Sequence, residues 1–329
     1  MGKIGLLANP ASGKDVRRLV ARASVFDNQE KRAIVRRVLV GAVASGADAF
    51  VYHNDAHGIV EGALQDSGYL PMAKAVESTQ MGTTLDTISA ARAMQDEGCA
   101  VVITLGGDGT NRAFCLGWQD APLISISTGT NNVFPDLYEA TIAGAAAGLV
   151  ASEQVGADVF TQQKCIQVSI EDERQDLALI DALLSEQMFV GARALLKPQH
   201  FRSALLTRAE PDAVGITSIG GLVHPIDRNA DSGLWLEFGS GTCVHAPIAP
   251  GLYEPVALKS YQPLTLGQTV RCEGPGTLAF DGERERTLKP GQQAELTITR
   301  NGPRVVDVSR ALHHAAHSGV YKNMSKDSP

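Results

Sequence analysis

Apolar positions recur along the first half of the chain at two alternating periods. Ile4 to Ala8 is a short apolar run closed by Asn9-Pro10, which predicts a buried strand. Ile34, Val35, Val38, Leu39, Ala42 and Val43 then recur at helical spacing, with Gly46 as the stop. Ala49 to Tyr52 predicts another strand. Thr83-x-x-Asp86 has the pattern of a capping box ahead of Leu85, Ile88, Ala91 and Met94, and Gly98 ends that helix. Ala100 to Leu105 is almost continuously apolar, as in a strand covered on both faces. Leu123 to Ile126 is the next strand and Ala140 to Ala151 an Ala/Gly-rich helix. This rhythm predicts an α/β region with a mostly parallel sheet.

From about Val155 the helical period fades. Strand-like pieces follow at Lys164–Ile170, Leu177–Leu184, Leu234–Phe238, Pro255–Lys259, Thr269–Cys272, Thr277–Phe280 and Gln293–Thr299. The last alternates cleanly, with Ala294, Leu296 and Ile298 on one face and Glu295, Thr297 and Thr299 on the other. Turns such as Gly274-Pro275-Gly276 and Pro290-Gly291 separate the pieces, which predicts an antiparallel β region. Gln199–Arg208 is expected as a helix inside it, and residues after Val308 as a terminal helix.

The 329 residues allow two domains at roughly 150 residues each. The expected division is residues 1–153, 154–308 and a 309–329 helix and tail. Net charge is −7, so the basic footprint of a nucleic-acid binder is missing. No apolar run approaches the roughly 20 residues of a membrane helix. MGKIGLLANP does not read as a signal peptide or a myristoylation site. Cys99, Cys115, Cys165, Cys243 and Cys272 are scattered without CxxC spacing, which points to free thiols in a cytoplasm.

Candidate chemistry concentrates in three loops at predicted strand ends. Gly106-Gly107-Asp108-Gly109-Thr110 follows the most apolar strand. Glycines there allow a sharp turn and leave N–H groups bare for an anion. A carboxylate inside such a loop repels phosphate unless it has a task, such as holding Mg²⁺ or taking a proton from a hydroxyl. Ser127-Thr128-Gly129-Thr130-Asn131-Asn132 follows the next strand with hydroxyls and amides. Asn9-Pro10-Ala11-Ser12-Gly13-Lys14 follows the first strand. It is not a Walker A loop, because Ala8 and Asp15 stand where that motif needs Gly and Ser/Thr. Lys14 could still approach a phosphate.

GGDGT, NPASGK, GTNN and Asp281-Gly282-Glu283 together resemble the superfamily of NAD kinases and diacylglycerol/sphingosine lipid kinases. NPASGKDVRRLVA and LIDALLSEQMFVGARALL resemble the ATP-NAD/AcoX kinase branch in particular. The resemblance spans nearly the whole chain. It implies an N-terminal α/β nucleotide domain, a C-terminal antiparallel β-sandwich, a site in the cleft between them, ATP, Mg²⁺ and a homo-oligomer. Carried over, Asp108 is the general base and a metal ligand. Gly106, Gly107, Gly109 and Thr110 hold phosphates. Asn9, Ser12, Gly13, Thr128, Gly129, Thr130, Asn131 and Asn132 line the nucleotide side. On the acceptor side stand Asp181, Arg193, Asp281 and Glu283.

The chain also departs from its relatives. Asn111-Arg112-Ala113 replaces the Leu-Asn-Glu of lipid kinases, and Ala178-Leu179-Ile180-Asp181 replaces the Ala-Leu-Asn-Glu of NAD kinases. An isoleucine cannot hydrogen-bond a nicotinamide nucleotide, so NAD is not carried over as acceptor. Asp181 keeps a carboxylate for a sugar diol, or else is a solvated strand residue. Glu283 to Arg286 reads most simply as a solvated hairpin face. His53 and His57 read as loop histidines, and His313, His314 and His317 as a helix surface. The resulting expectation is a cytoplasmic ATP-dependent kinase acting on a small polar or nucleotide-type hydroxyl, with no nucleic-acid or membrane partner. A nucleotide-binding regulator without turnover and a lipid kinase remain as alternatives.

Overall fold

The first half builds one sheet from strand–helix units. In order these are β1 (Lys3–Ala8), α1 (Asn28–Ala44), β2 (Phe50–Tyr52), α2 (Ile59–Asp66), β3 (Ala73–Ala75), α3 (Thr84–Asp96), β4 (Cys99–Gly106), α4 (Asp108–Gly117), β5 (Pro122–Ser127) and α5 (Ala140–Ala151). The computed structural model describes residues 2–13, 26–129, 131–186 and 197–322, the side chains of Arg284 and Glu285 excepted. Local signals set several ends. Asp27 caps α1 by accepting the Glu30 N–H at 2.8 Å. The Asp86 carboxylate accepts the N–H groups of Met81, Gly82 and Thr83 ahead of α3.

The second half supplies β6 (Phe160–Gln162), β7 (Cys165–Ile170), β8 (Asp176–Ala178), β9 (Asp181–Ser185), β10 (Phe201–Leu206), α6 (Ile216–Val223), β11 (Ser232–Ala249), β12 (Leu252–Thr265), β13 (Thr269–Glu273), β14 (Gly276–Phe280), β15 (Glu283–Leu288), β16 (Gln293–Thr299), β17 (Arg304–Val306) and α7 (Val308–His317). Among the described residues the strands form three sheets. The first runs β3-β2-β1-β4-β5-β17-β6 and is parallel up to β17, with β6 antiparallel. The others run β12-β11-β10-β9-β14-β15 and β13-β16-β7-β8, both antiparallel.

Apolar burial fixes the layers. Ile4, Leu6, Val101, Ile103 and Ile124 pack under α1, α2, α5 and α7 on one face of the first sheet. Leu7, Val102 and Leu123 pack against α3 and α4 on the other, joined by Leu177, Leu179 and Ile180 from the second half. The two antiparallel sheets share a core of Ile166, Val168, Leu296, Leu184, Leu278 and Phe280, so they form a sandwich. The alternation over Gln293–Thr299 holds, with Ala294, Leu296 and Ile298 all fully buried.

Two expectations need correction. Gln199–Arg208 is not a helix: Pro198–His200 is a single 3-10 turn and Phe201–Leu206 is strand β10. Phe201, Ala204 and Leu205 have helical spacing, but β10 is paired by β9 on one side and β11 on the other. Tertiary pairing overrides the local period. Leu177–Leu184 is not one strand either. The backbone breaks at Leu179–Ile180, where those two side chains enter the core of the first sheet.

Candidate active site

Parallel strands end on one edge, so the three loops read from the sequence meet there. This carboxyl edge is the ligand side of open α/β sheets. Asn9 leaves β1, Gly107 leaves β4 and Thr128 leaves β5. They are cross-linked directly. Asn9 Nδ2 donates to Thr110 Oγ1 at 2.8 Å, Ser12 Oγ lies 2.7 Å from Thr128 Oγ1, and the Thr128 N–H donates to the Gly106 carbonyl.

The first loop is held from behind by an unexpected group. Lys31 on α1 is fully buried, and its Nζ donates to the carbonyls of Asn9 (2.8 Å), Pro10 (3.2 Å) and Ser12 (2.7 Å). Three carbonyls are thereby drawn toward α1. Gly13 completes the turn at φ +71°, and a Cβ there would lie 2.5 Å from the Thr128 carbonyl oxygen. Gly13→Ala is therefore expected to cost about 1–3 kcal/mol of stability and to weaken nucleotide binding. Urea unfolding and a nucleotide titration of the variant check this.

Asp108 is the first residue of α4, so its carboxylate sits at the positive end of the helix dipole. Oδ1 accepts the N–H groups of Val133 (3.0 Å) and Phe134 (2.8 Å). Burial is the main cause that pushes its pKa up to about 7, and Asp281 adds to it, while the two amides and Arg208 pull it down. Asn111, one turn on, donates to the Gly107 carbonyl at 2.9 Å and accepts from the Thr104 and Ser125 hydroxyls. It ties the glycine loop to β4 and β5. Asn132 donates to Ser127 Oγ at 2.9 Å, which folds the second loop over Gly107.

The second half reaches the same edge. A Cβ on Gly109 would lie 2.5 Å from Glu283 Oε1, so the exposed Glu283, at the start of β15 in the β14–β15 hairpin, reaches over the loop. Asp281, at φ +50°, is 5% exposed, and its carboxylate accepts the N–H groups of Leu179, Ile180 and Asp181. It thus holds the break between β8 and β9 in place. Asp181 is only 7% exposed, not a solvated strand residue. Arg112 on α4 is buried, donates to the Leu177 carbonyl and pairs with buried Asp176 at 2.7 Å; Arg286 reaches the other Asp176 oxygen at 3.0 Å. Arg112 also lies over the Phe280 ring at 5.0 Å. Lys14, Thr130 and Arg193 lie outside the described residues. His53 is buried beside Ser78 at 2.8 Å, and His314 on α7 faces Asp158 at 3.6 Å. Among the described residues no three His, Cys, Asp or Glu side chains gather as a metal site.

With this geometry in view, comparison with known proteins is direct. Residues 4–154 match the ATP-NAD kinase N-terminal domain, and residues 164–301 match the acetoin catabolism protein X C-terminal domain. A curated relative, acetoin catabolism protein X of Cupriavidus necator, is 34% identical across 98% of this chain and 94% of its own. The chain belongs to the acetoin catabolism protein X family. It is kinase-like in fold. Yeast NADH kinase, crystallised with NADH, superposes with a TM-score of 0.52 at 11% identity over 99% of this chain and 90% of that one. A diacylglycerol kinase from Bacillus anthracis str. Sterne gives 0.46 at 12% identity over 93% and 96%. In this acetoin catabolism protein X family member, the sequence reading missed Lys31, Arg112, Asp176 and Arg208. Lys31 and Arg112 each interrupt an apolar helix face, the one local signal available; their partners could not be read from spacing.

Proposed function

We propose that this chain is an ATP-dependent kinase that phosphorylates a hydroxyl of a small polar or nucleotide-type acceptor, with Asp108 as general base. The observation that carries this reading is a carboxylate with its pKa near neutrality, placed among bare glycine-loop amides at the sheet's ligand edge. Asp108 takes the acceptor's hydroxyl proton. The freed oxygen forms a bond to the γ-phosphorus while the bond from phosphorus to the β-bridging oxygen breaks, and its electron pair leaves with ADP. Asn9, Ser12, Gly13 and residues 128–132 bind the nucleotide, and the loop amides of Gly106 to Thr110 orient and stabilise the transferring group. Asp181 and Glu283 stand on the acceptor flank.

The family resemblance implies Mg²⁺. One carboxylate facing a phosphate-binding loop fits a cation that keeps waters and phosphate oxygens as its other ligands, with Asp108 as the protein ligand. Bound there, Mg²⁺ would neutralise charge on the phosphates. The relative's name brings acetoin-derived hydroxy compounds into the acceptor question. One observation favours a second reading: the Asp108 carboxylate already accepts two amide hydrogens, as an anchor in a non-catalytic nucleotide-binding regulator would.

ATP consumption with Mg²⁺ separates the two. The panel holds NAD, NADH, nucleosides, sugars, polyols, acetoin-like alcohols and diacylglycerol. Turnover on one acceptor supports the kinase and names its class. ATP binding with no turnover across the panel moves the reading to the regulator.

A further inference from the structure

Among the described residues, two buried positive groups have carboxylates near them but none in direct ion-pair contact: Asp108, Asp136 and Glu210 near Arg208, and Asp227 and Asp231 near Lys164. Arg208, which follows β10, is 3% exposed. It donates to the Val133 carbonyl at 3.3 Å and to Gln163 Oε1 at 3.4 Å, and its buried Nε–H has no acceptor. Lys164 is 2% exposed, and its Nζ donates only to the carbonyls of Asp227 (3.1 Å) and Ser232 (2.6 Å). Their neighbours differ. Arg228 pairs with Asp136 at 3.3 Å and Arg300 with Asp231 at 2.7 Å. A buried charge held only by carbonyl and amide oxygens, with one N–H left unpaired in the case of Arg208, is costly and is rarely kept without a task. Burial, then the charges of Arg300 and Arg208, push the Lys164 ammonium down to about 8.

The position of Arg208 suggests that task. The peptide of Val133 that it braces also holds Asp108, and its guanidinium lies over the Phe134 ring at 5.9 Å. Thr207, the preceding residue, donates to the carbonyls of Leu179 and Ile180, the segment fixed on its other side by Asp281. Arg208 therefore stands between the loop that holds Asp108 and the Asp181 segment. On the braced loop, Asn131 Oδ1 is also buried without a donor.

We propose that Arg208, with Lys164 behind it, forms a subsite for an anionic group on the acceptor, a carboxylate or phosphate monoester, so that the substrate is a hydroxylated anion rather than a neutral alcohol. This rests on the kinase reading above. A guanidinium offers a planar fork to either anion, and Asn131 Oδ1 can accept from a substrate hydroxyl. The phosphates of ATP share this chemistry, so the test separates the two sources.

The full chain is first saturated with AMP-PNP and Mg²⁺, and inorganic phosphate is then titrated in by calorimetry. Arg208→Gln is expected to weaken phosphate binding about 10- to 100-fold, with Arg208→Lys intermediate. AMP-PNP affinity stays within about threefold. In turnover, glycerate or glycerol 3-phosphate exceeds glycerol in kcat/KM, and Arg208→Gln abolishes that preference. Arg208→Lys keeps the buried charge and removes the fork, so it reports if Arg208→Gln does not fold. The proposal is overturned if wild type binds no phosphate, if both variants bind it as wild type does, or if they lose AMP-PNP affinity instead. Phosphate binding through Arg208 without any ATP turnover keeps the subsite and rejects the kinase. Equal turnover of glycerol and glycerate keeps the kinase and rejects the subsite.

Discussion

Asp108→Asn is expected to abolish turnover and to raise the melting temperature at the same time. Loss of a positioned general base removes about 10²- to 10⁴-fold in rate. Nucleotide binding should survive, because Asn Oδ1 can still accept the Val133 and Phe134 amides that Asp108 Oδ1 now accepts. The stability gain follows from the raised proton affinity. A carboxyl with a pKa of about 7 in the fold and 3.8 in an ordinary setting binds its proton more tightly when folded. Its contribution to stability is present at low pH, falls as pH rises above 3.8, and is fully lost above about 7. At pH 8 the charged residue opposes folding by on the order of 2–4 kcal/mol, which asparagine removes. Calorimetric melting of wild type and variant without nucleotide should show a gap of several degrees at pH 8 that narrows as the pH falls and closes below about 3.8. Unchanged turnover in the variant would sink the base assignment. A gap that does not close at low pH would sink the account of its burial.

The second large effect is on the fold. Asp176→Ala should destabilise the protein by about 3–5 kcal/mol, because it strips the carboxylate from buried Arg112 while the Arg112 charge stays inside. Urea unfolding reads this as a lower midpoint. Replacing both partners, Arg112→Met with Asp176→Leu, should recover much of the loss, since a buried pair contributes less than breaking it costs. The consequence reaches the site. Arg112 lies one turn beyond Asp108 on α4, so the pair fixes the helix that presents Asp108 against the strand that leads into Leu179–Asp181. The single variant should therefore lose kcat beyond what its unfolded fraction explains.

Much of this was legible in the sequence. The Ala140–Ala151 helix, the capping pattern at Thr83 and the β1, β4 and β5 runs are local signals, and they appear where the pattern puts them. The three loops were legible because glycines and hydroxyls mark strand ends whatever the partner. What stayed hidden is non-local. β10 was misread because Phe201, Ala204 and Leu205 fit a helical face until two neighbouring strands claim them. α2 was missed because Gly58, Gly62 and Gly68 punctuate it. Asp281 stands in the turn between β14 and β15. Only the fold shows three amides of residues 179–181 converging on its carboxylate, about a hundred residues away in sequence. Arg112 with Asp176, and Arg208 with Val133, are likewise pairs that no spacing rule connects.

The order of the first sheet bears on how this chain is made. β5 lies beside β17, and β17 lies beside β6. Translation delivers β1 to β5 early, but Arg304–Val306 leaves the ribosome only after the sandwich strands. Until then the nascent sheet has a bare β5 edge next to the Ser127–Asn132 loop. The Ser127–Asn132 loop thus waits for β17, and a ribosome stalled before it would present a half-built sheet to chaperones rather than a finished domain.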